Sequence, residues 1–255
     1  MNFKKLTFTN QNDHVLGGRL DLPEGHPPEA YALFAHCFTC TKDSRAAAYI
    51  SRALTEKRIA VFRFDFTGLG ESSGEFAETT FTSNVSDLVA AADFMQAELE
   101  GPQLLIGHSL GGVAVLWAAA QIDSSRAVVT IGSPANPGHV LRHFQDRREE
   151  IETRGSAEVA IEGRSFQVKK AFLDDLTQYR GENGLRELNR ALLVLHAPMD
   201  DTVGIDNAGA IFKEARHPKS FVALHDADHL LSREADARYA GSLIAVWVDR
   251  YLKRP

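Results

Sequence analysis

The chain has 255 residues, of which 44% are hydrophobic and 24% are charged, and its formal net charge is -6. That composition is typical of a globular protein, and an acidic balance without any Lys/Arg run longer than two residues argues against nucleic acid and anionic membrane as partners. With only two cysteines and no apolar run near the ~20 residues of a spanning helix, we expect a cytoplasmic protein made of one domain over residues 1–255.

Short apolar runs alternate along the chain with longer segments of helical period, which predicts a mostly parallel sheet covered by helices on both faces. The first two runs flank a polar turn and predict an antiparallel hairpin at one edge. The eight predicted strands are Phe3–Thr9, Val15–Leu22, Tyr31–Ala35, Ile59–Phe64, Gln103–Ile106, Ala127–Ile131, Ala191–Leu195 and Ser220–Leu224. The predicted helices are Ser44–Lys57, Thr82–Leu99, Leu110–Gln121, Asn207–Ala215 and Ala235–Leu252.

The alternation stops after the sixth strand, between residues 134 and 189. There we expect a small insertion with a charged helix, Val140–Glu152, and a hairpin of Ala157–Ile161 and Ser165–Lys169 that turns at Glu162-Gly163. An insertion of this length is typical of a lid or a binding element, and a solvated decoration is the alternative. Its apolar residues are candidates for lining an acyl pocket or for forming the insertion's own small core: Phe144, Phe166, Phe172 and Leu173.

The strongest chemical signal is Gly107-His108-Ser109-Leu110-Gly111, which follows a predicted strand and precedes a predicted helix. This is the G-x-S-x-G nucleophile elbow in the context that it requires. A serine on so sharp a turn needs small residues two positions away on either side, and Gly107 and Gly111 supply them. Ser109 is therefore the predicted nucleophile.

A serine hydroxyl needs a base, and the base needs an orienting carboxylate. Asp200 follows the predicted strand Ala191–Leu195 and is the predicted acid, with Asp201 as the alternative. His229 lies in the loop after the last predicted strand and is the predicted base, with His225 as the alternative. For the oxyanion, we expect the backbone NH groups of Leu110 and of Phe38, which lies in the loop after the third strand.

The order Ser109, Asp200, His229 is the order of the triad in the α/β-hydrolase fold. The chain resembles serine hydrolases of that superfamily over nearly its whole length, including the D-x-x-G-x-G-x-S turn that begins at Asp65. More narrowly, His36-Cys37-Phe38-Thr39-Cys40 and Asp228-His229 resemble the bacterial hydrolases that often carry a fused OsmC-like domain; the sequence stops at Pro255, and we expect no such domain here. The resemblance implies hydrolysis of carboxylic esters with short acyl chains.

Other functions are less well supported by the residues. Cys37-x-x-Cys40 suggests thiol redox chemistry, but three residues separate Cys40 from the predicted helix. The cluster of His225, Asp226, Asp228 and His229 suggests a metal, but it follows a strand and has no helical spacing. A dinucleotide site at Gly68-x-Gly70 is disfavoured because Gly74 falls one position late and Glu71 would oppose a pyrophosphate.

The sequence thus predicts a serine carboxylesterase that works through an acyl-enzyme with a Ser-His-Asp triad. A thioesterase or amidase with the same triad is the first alternative, and a thiol-redox protein or a non-catalytic binding protein on this fold is the second. We expect no metal and no cofactor, a small-molecule ester as the partner, and no nucleic acid or membrane partner. The oligomeric state cannot be read from the sequence.

Overall fold

A computed structural model describes residues 2–161, 163–179 and 185–252 of the chain. Its main feature is an eight-stranded sheet in the order β1-β2-β4-β3-β5-β6-β9-β10, and a separate hairpin pairs β7 with β8. The strands are β1 Asn2–Thr9, β2 Val15–Leu22, β3 Ala30–Ala35, β4 Ile59–Phe64, β5 Leu104–His108, β6 Ala127–Ile131, β7 Ser156–Ile161, β8 Arg164–Lys169, β9 Ala191–His196 and β10 Lys219–Ala223. All pairs from β4 to β10 in the large sheet are parallel, whereas β1 and β2 are antiparallel additions at one edge. The predicted sheet is confirmed, with ends shifted by one or two residues.

The helices are α1 Arg45–Thr55, α2 Phe81–Glu98, α3 Leu110–Ala118, α4 Arg148–Arg154, α5 Lys170–Gln178, α6 Asp206–Glu214 and α7 Glu234–Leu252. Short 3₁₀ segments cover Phe76–Glu78, Ala119–Gln121, Pro137–Arg147 and Leu185–Glu187. The predicted helix Leu110–Gln121 therefore leaves the α conformation at Ala118 and ends in a 3₁₀ turn. Helix α1 begins where the sequence predicts, because the Ser44 hydroxyl accepts a hydrogen bond from the NH of Ala47.

The core divides into two layers, one on each face of the sheet. Along β3, Leu33 and Ala35 belong to the layer that α2 and α3 cover, while Ala32 and Phe34 belong to the layer of α1 and α7. The alternation follows from the period of two in a strand, and strands buried on both faces read as continuous apolar runs. The inner strands can therefore be predicted from the sequence.

The insertion after β6 differs in part from its prediction. The segment expected as one α-helix, Val140–Glu152, is a 3₁₀ helix over Pro137–Arg147 followed by α4. The hairpin of β7 and β8 is present, and its predicted turn residue Glu162 lies outside the described residues. Helix α5 was not predicted, since it is only nine residues long and Lys169 at its N-terminus makes no capping side-chain hydrogen bond.

The turn after β4 ties the loop after β3 to the sheet. The buried carboxylate of Asp65 accepts hydrogen bonds from the backbone NH of Lys42 at 2.7 Å and from its ammonium at 2.6 Å. Gly70 has a φ of 54°, and a Cβ there would lie 2.2 Å from Oδ2 of Asp65. The glycine is therefore needed for the carboxylate to sit against the turn, and the ion pair fixes the end of the loop that carries Phe38.

Candidate active site

Three predicted side chains come together at the carboxyl edge of the parallel strands. Ser109 directly follows β5, while Asp200 and His229 lie in the loops after β9 and β10. Since the ends of neighbouring parallel strands share one edge, residues far apart in sequence meet there.

Ser109 occupies a strained turn between β5 and α3. Its φ is 54° and its ψ is -125°, a conformation that is rare for any residue with a Cβ. A Cβ on Gly107 would lie 2.2 Å from the carbonyl oxygen of Gly111, and one on Gly111 would lie 2.5 Å from the carbonyl oxygens of Ala35 and His36. Both glycines are thus required for strand, turn and helix to approach this closely, as the motif predicts.

A continuous chain of hydrogen bonds links the three side chains. Oγ of Ser109 lies 3.0 Å from Nε2 of His229, and Nδ1 of His229 lies 2.7 Å from Oδ2 of Asp200. An ionised carboxylate only accepts, so Nδ1 carries the proton and Nε2 is free to accept from the serine hydroxyl. The arrangement can deprotonate Ser109 during attack on an electrophile.

Asp200 is held as a buried anion. Burial acts to raise the pKa of its carboxyl group, but the hydrogen bonds from His229, Val203 and Thr202 outweigh burial and bring the pKa below its usual value. The alternative acid, Asp201, is exposed and bonds to the hydroxyl of Thr202. The alternative base, His225, is also exposed and does not join the chain of hydrogen bonds.

The two backbone amides predicted to bind an oxyanion, those of Phe38 and Leu110, line the same cavity as Ser109. Neither amide donates a hydrogen bond to any residue that the structure describes. Thr39, next in the chain, has a φ of 62°, an outlier for a β-branched residue. The turn is closed by a hydrogen bond of 3.1 Å from the Cys40 NH to the Cys37 carbonyl, and the Arg164 guanidinium donates to the carbonyl of Thr39.

Cys37 and Cys40, the pair considered for thiol redox chemistry, form a disulfide across this turn. The reason is geometric: a tight turn brings the two Cα atoms to 5.3 Å, within the range that a disulfide spans. The bridge closes the turn of the loop that carries Phe38.

Two residues that sequence reasoning missed support His229. Nε2 of His108 donates to the carbonyl oxygen of His229 at 2.7 Å. Burial, reinforced by the neighbouring His229, lowers the pKa of His108 to about 4, so this imidazole is a neutral donor. Gly132 has a φ of 54°, and a Cβ there would lie 3.3 Å from Nδ1 of His229. The position of His108 inside the G-x-S-x-G motif was the available signal, whereas nothing in the sequence marks Gly132.

Two cavities meet at Phe38 and Leu110. The first holds Ser109 and His229. Its remaining lining comes partly from the insertion and partly from the loops around the sheet: Cys37, Pro134, His139, Val140, Arg142, His143, Ile161, Thr202 and Val203. The second is mainly apolar, with Phe66, Leu69, Phe76 and Ala114 in its wall.

The four insertion residues considered for an acyl pocket line neither cavity. Phe144, Phe172 and Leu173 are buried and Phe166 is half-buried, and they pack among the aromatic rings of the insertion and its neighbours. The ring of Phe38 joins this cluster, with centroids 5.5 Å from Phe172 and 6.3 Å from Phe144. The buried rings of the insertion thus help to hold Phe38, whose amide is a predicted oxyanion donor.

The described residues include no group of three or more His, Cys, Asp or Glu placed to hold a metal ion. In the stretch considered for a metal, Asp228 accepts a hydrogen bond from the Ser232 NH at 2.8 Å, and His229 belongs to the chain with Ser109. Within the described ranges, no helix combines the length and apolar character needed to cross a membrane.

Residues 32–248 match the sequence model of a family described as the alpha/beta hydrolase family. The palmitoyl-protein thioesterase ABHD10 of mouse mitochondria is 27% identical over 186 residues, which is 69% of this chain and 61% of that protein. Its human counterpart is 27% identical over 200 residues, 75% of this chain and 64% of that protein. The chain therefore spans a little over three fifths of the length of these relatives.

Among solved structures, the esterase domain of a Rhodothermus marinus protein superposes with a TM-score of 0.80 at 47% identity, covering 99% of this chain and all of that one. Mouse ABHD10 superposes with a TM-score of 0.79 at 20% identity, covering 97% and 99% of the two chains. At that identity the second likeness concerns the fold alone.

Proposed function

Because the chain belongs to the alpha/beta hydrolase family, we propose that it is a serine carboxylesterase that cleaves short-acyl esters through an acyl-enzyme. The observation that carries this proposal is the chain of hydrogen bonds from Ser109 through His229 to Asp200, at 3.0 and 2.7 Å. Nucleophile, base and orienting acid are the three groups that acyl transfer to serine requires.

In the first half of the reaction, Oγ of Ser109 attacks the ester carbonyl while Nε2 of His229 takes its proton. The negative charge that forms on the carbonyl oxygen is stabilised by the free amides of Phe38 and Leu110, with the N-terminus of α3 behind them. Asp200 holds the imidazole in the tautomer with Nδ1 protonated and stabilises the imidazolium.

In the second half, His229 gives its proton to the departing alcohol and then removes a proton from water, which attacks the acyl-serine. The same oxyanion donors serve both steps. His108 acts as a positioning residue, because its hydrogen bond to the His229 carbonyl fixes the loop from which the imidazole reaches Ser109.

The cavity beyond Phe38 and Leu110 has mainly apolar walls, which are suited to contact a small acyl group. The Rhodothermus marinus domain, 47% identical, is described as an esterase, which supports the same class of substrate.

A thioesterase is the second candidate, since the mouse and human relatives are named palmitoyl-protein thioesterases. The same oxyanion forms on a thioester, so the mechanism would be the same. The leaving group would be a thiolate, which departs more easily than an alkoxide. The two candidates differ in the substrate that the cavities admit.

The test is labelling with a fluorophosphonate, followed by peptide mass spectrometry, with turnover of p-nitrophenyl esters of increasing chain length and of the matching acyl thioesters. A single adduct on Ser109 and loss of turnover in Ser109→Ala would support the proposal, and Ser86→Ala, on the surface of α2, is the control that should keep both. Labelling elsewhere, or turnover that survives Ser109→Ala, would contradict it. A preference for thioesters at equal chain length would select the second candidate.

A further inference from the structure

The cavity above Ser109 has an unusual charge for this protein. The chain as a whole carries a formal charge of -6, yet no Asp or Glu is among the described residues that line this cavity. Its lining includes Arg142 and the imidazoles of His139 and His143, which lie on the same side as His229. Apart from Asp200, which lies behind His229, the charged and polar side chains around the nucleophile therefore favour a bound anion.

Arg142 is the residue that sets this cavity apart. The described arginines that follow it in the insertion have partners: Arg147 and Arg154 pair with Glu150, Arg148 with Glu152 and Arg186 with Glu214, while Arg164 donates to the carbonyl of Thr39. Arg142, half-buried, makes no hydrogen bond or ion pair with any residue in the described ranges. A partly buried guanidinium with five donors and no acceptor is suited to a carboxylate or phosphate from outside the chain.

The 3₁₀ conformation of Pro137–Arg147 explains how these side chains reach the cavity. Residues three apart are eclipsed in a 3₁₀ helix, so His139 and Arg142 stand one above the other. His139 is anchored there by a hydrogen bond of 3.2 Å from its Nε2 to the Thr202 carbonyl. Phe144 packs into the core instead, which fixes the face that the segment shows to Ser109.

The two imidazoles can adapt to a bound anion. Burial lowers the pKa of both His139 and His143, and the charge of Arg142 lowers both further. They are therefore neutral at neutral pH in the empty cavity, and Arg142 provides the permanent charge. An anion that binds beside them would favour their protonated forms and so gain additional donors.

The position of this cluster identifies which half of the substrate it contacts. The apolar cavity contains neither Ser109 nor His229, whereas the cavity with Arg142 contains His229, the residue proposed to protonate the leaving group. We propose that the leaving group of the substrate carries a carboxylate or phosphate that binds Arg142 together with His139 and His143. The substrate class is thus an ester or thioester of a small apolar acid with an anionic alcohol or thiol, an inference that rests on the proposed hydrolase function.

Matched substrates test this inference. The butyrate ester of 4-hydroxyphenylacetate is compared with that of 4-hydroxyphenylacetamide, since the two phenols have similar basicity and differ by one negative charge. The butyrate ester of 4-hydroxybenzylphosphonate is the third substrate and carries a phosphonate, which resembles a phosphate, in place of the carboxylate. For the wild type, we expect kcat/KM of the better anionic ester to exceed that of the amide by about tenfold or more, as for one hydrogen bond to a charged group. Which anion is preferred identifies the source of the charge.

Variants locate the effect. Arg142→Gln should reduce the ratio of anionic to neutral kcat/KM by roughly tenfold, and Arg142→Lys should restore part of it, because the point charge remains without the planar fork. Arg147→Gln lies on the same segment but outside the cavity and should leave the ratio unchanged. Raising the salt concentration should reduce the preference of the wild type.

The outcomes separate this inference from the proposed function. Turnover of the neutral ester that depends on Ser109, without preference for either anion or with a preference that survives Arg142→Gln, overturns the inference and leaves the hydrolase. If no ester is turned over, the proposed function fails, and calorimetric titration of the Ser109→Ala protein with the anionic esters decides the binding site. Binding that a second change, Arg142→Gln, weakens about tenfold supports the site, and absence of binding overturns it.

Discussion

The sheet edge that carries Ser109, Asp200 and His229 and the insertion over residues 134–189 are built in different ways. At the edge, Ser109 directly follows the buried strand β5, Asp200 lies shortly beyond the buried strand β9, and His229 lies beyond the partly exposed strand β10. The sheet sets these positions, together with glycines that admit no larger residue. The insertion has no strand in that sheet, and its buried residues join the core layer that α2 and α3 cover. The ring of Phe38 packs among them.

This difference divides the work between the two regions. In the proposed function, the sheet edge provides the groups that make and break bonds, and its geometry tolerates little change. The insertion provides Arg142 and two histidines on one wall of the cavity and, through its aromatic cluster, supports the loop of the oxyanion amides. We therefore assign catalysis to the sheet edge and substrate selectivity to the insertion. Variants of the two regions can test this assignment.

The largest effect is expected from the sheet edge. Ser109→Ala or His229→Ala should each reduce kcat by on the order of 10⁴ to 10⁶, and the double variant should lose little more than either single one, because the residues act as a unit. Steady-state kinetics of the four proteins would measure this, with thermal unfolding to show that the fold persists. Multiplied losses in the double variant would contradict a single catalytic unit.

The second effect is expected from the insertion core. Phe144 is 1% exposed and packs against Phe38 and Phe172, so Phe144→Ala should destabilise the protein by about 3–5 kcal/mol. It should also lower kcat, by roughly ten- to hundredfold, since a loosened Phe38 weakens one oxyanion donor, whereas complete loss of one costs about 10²–10³. Denaturant unfolding and kinetics well below the melting temperature would measure the two.

Phe8→Ala is the matched control for Phe144→Ala. Phe8 is 5% exposed and packs against Phe62, Phe64 and Phe94 near the antiparallel edge of the sheet. A similar loss of stability with an unchanged kcat would show that the insertion, unlike the edge of the core, supports catalysis. An equal kcat in both variants would mean that Phe38 is held by its own turn alone.

The same two regions differ in how far the sequence predicts them. The inner strands are apolar runs buried on both faces, and the residues after them fall at one edge, so the association of Ser109, Asp200 and His229 follows from local patterns and chain order. The backbone around them also follows, because the glycines of the elbow have a steric reason that the motif itself records.

Features that depend on the conformation of a turn or on packing against other segments were not predicted from the sequence. The Cys37–Cys40 disulfide depends on a turn with Thr39 at positive φ, which a sequence does not show. The 3₁₀ form of the insertion, and with it the placement of Arg142, depends on how Val140 and Phe144 pack. The hydrophobic period of a charged, amphipathic segment predicts an α-helix. The face of Pro137–Arg147 that lies toward Ser109 could therefore not be predicted from the sequence.

The smallest of these effects concerns pH and separates a buried histidine of the sheet edge from an exposed one of the insertion. The pKa of His108 is about 4 in the folded protein and about 6.5 in the unfolded chain, so the unfolded state binds more protons between these values. The contribution of neutral His108 to stability is complete above pH ~6.5 and is lost as the pH falls toward ~4, by about 3 kcal/mol in total. His108→Gln keeps a side-chain donor and cannot titrate, so its free energy of unfolding should fall less steeply over this range.

Urea unfolding at a series of pH values would measure the slopes for the wild type, His108→Gln and His143→Gln. His36 and His196 are also buried with lowered pKa values, so a residual slope should remain in His108→Gln. His143 belongs to the insertion and is exposed, so water screens most of the effect of its surroundings on its pKa. The free energy of unfolding of His143→Gln should therefore change with pH nearly as it does in the wild type. If His108→Gln also ran parallel, the hydrogen bond from His108 to the His229 carbonyl would not be held by a buried neutral imidazole. The rigidity assigned to the sheet edge would then have to come from the elbow alone.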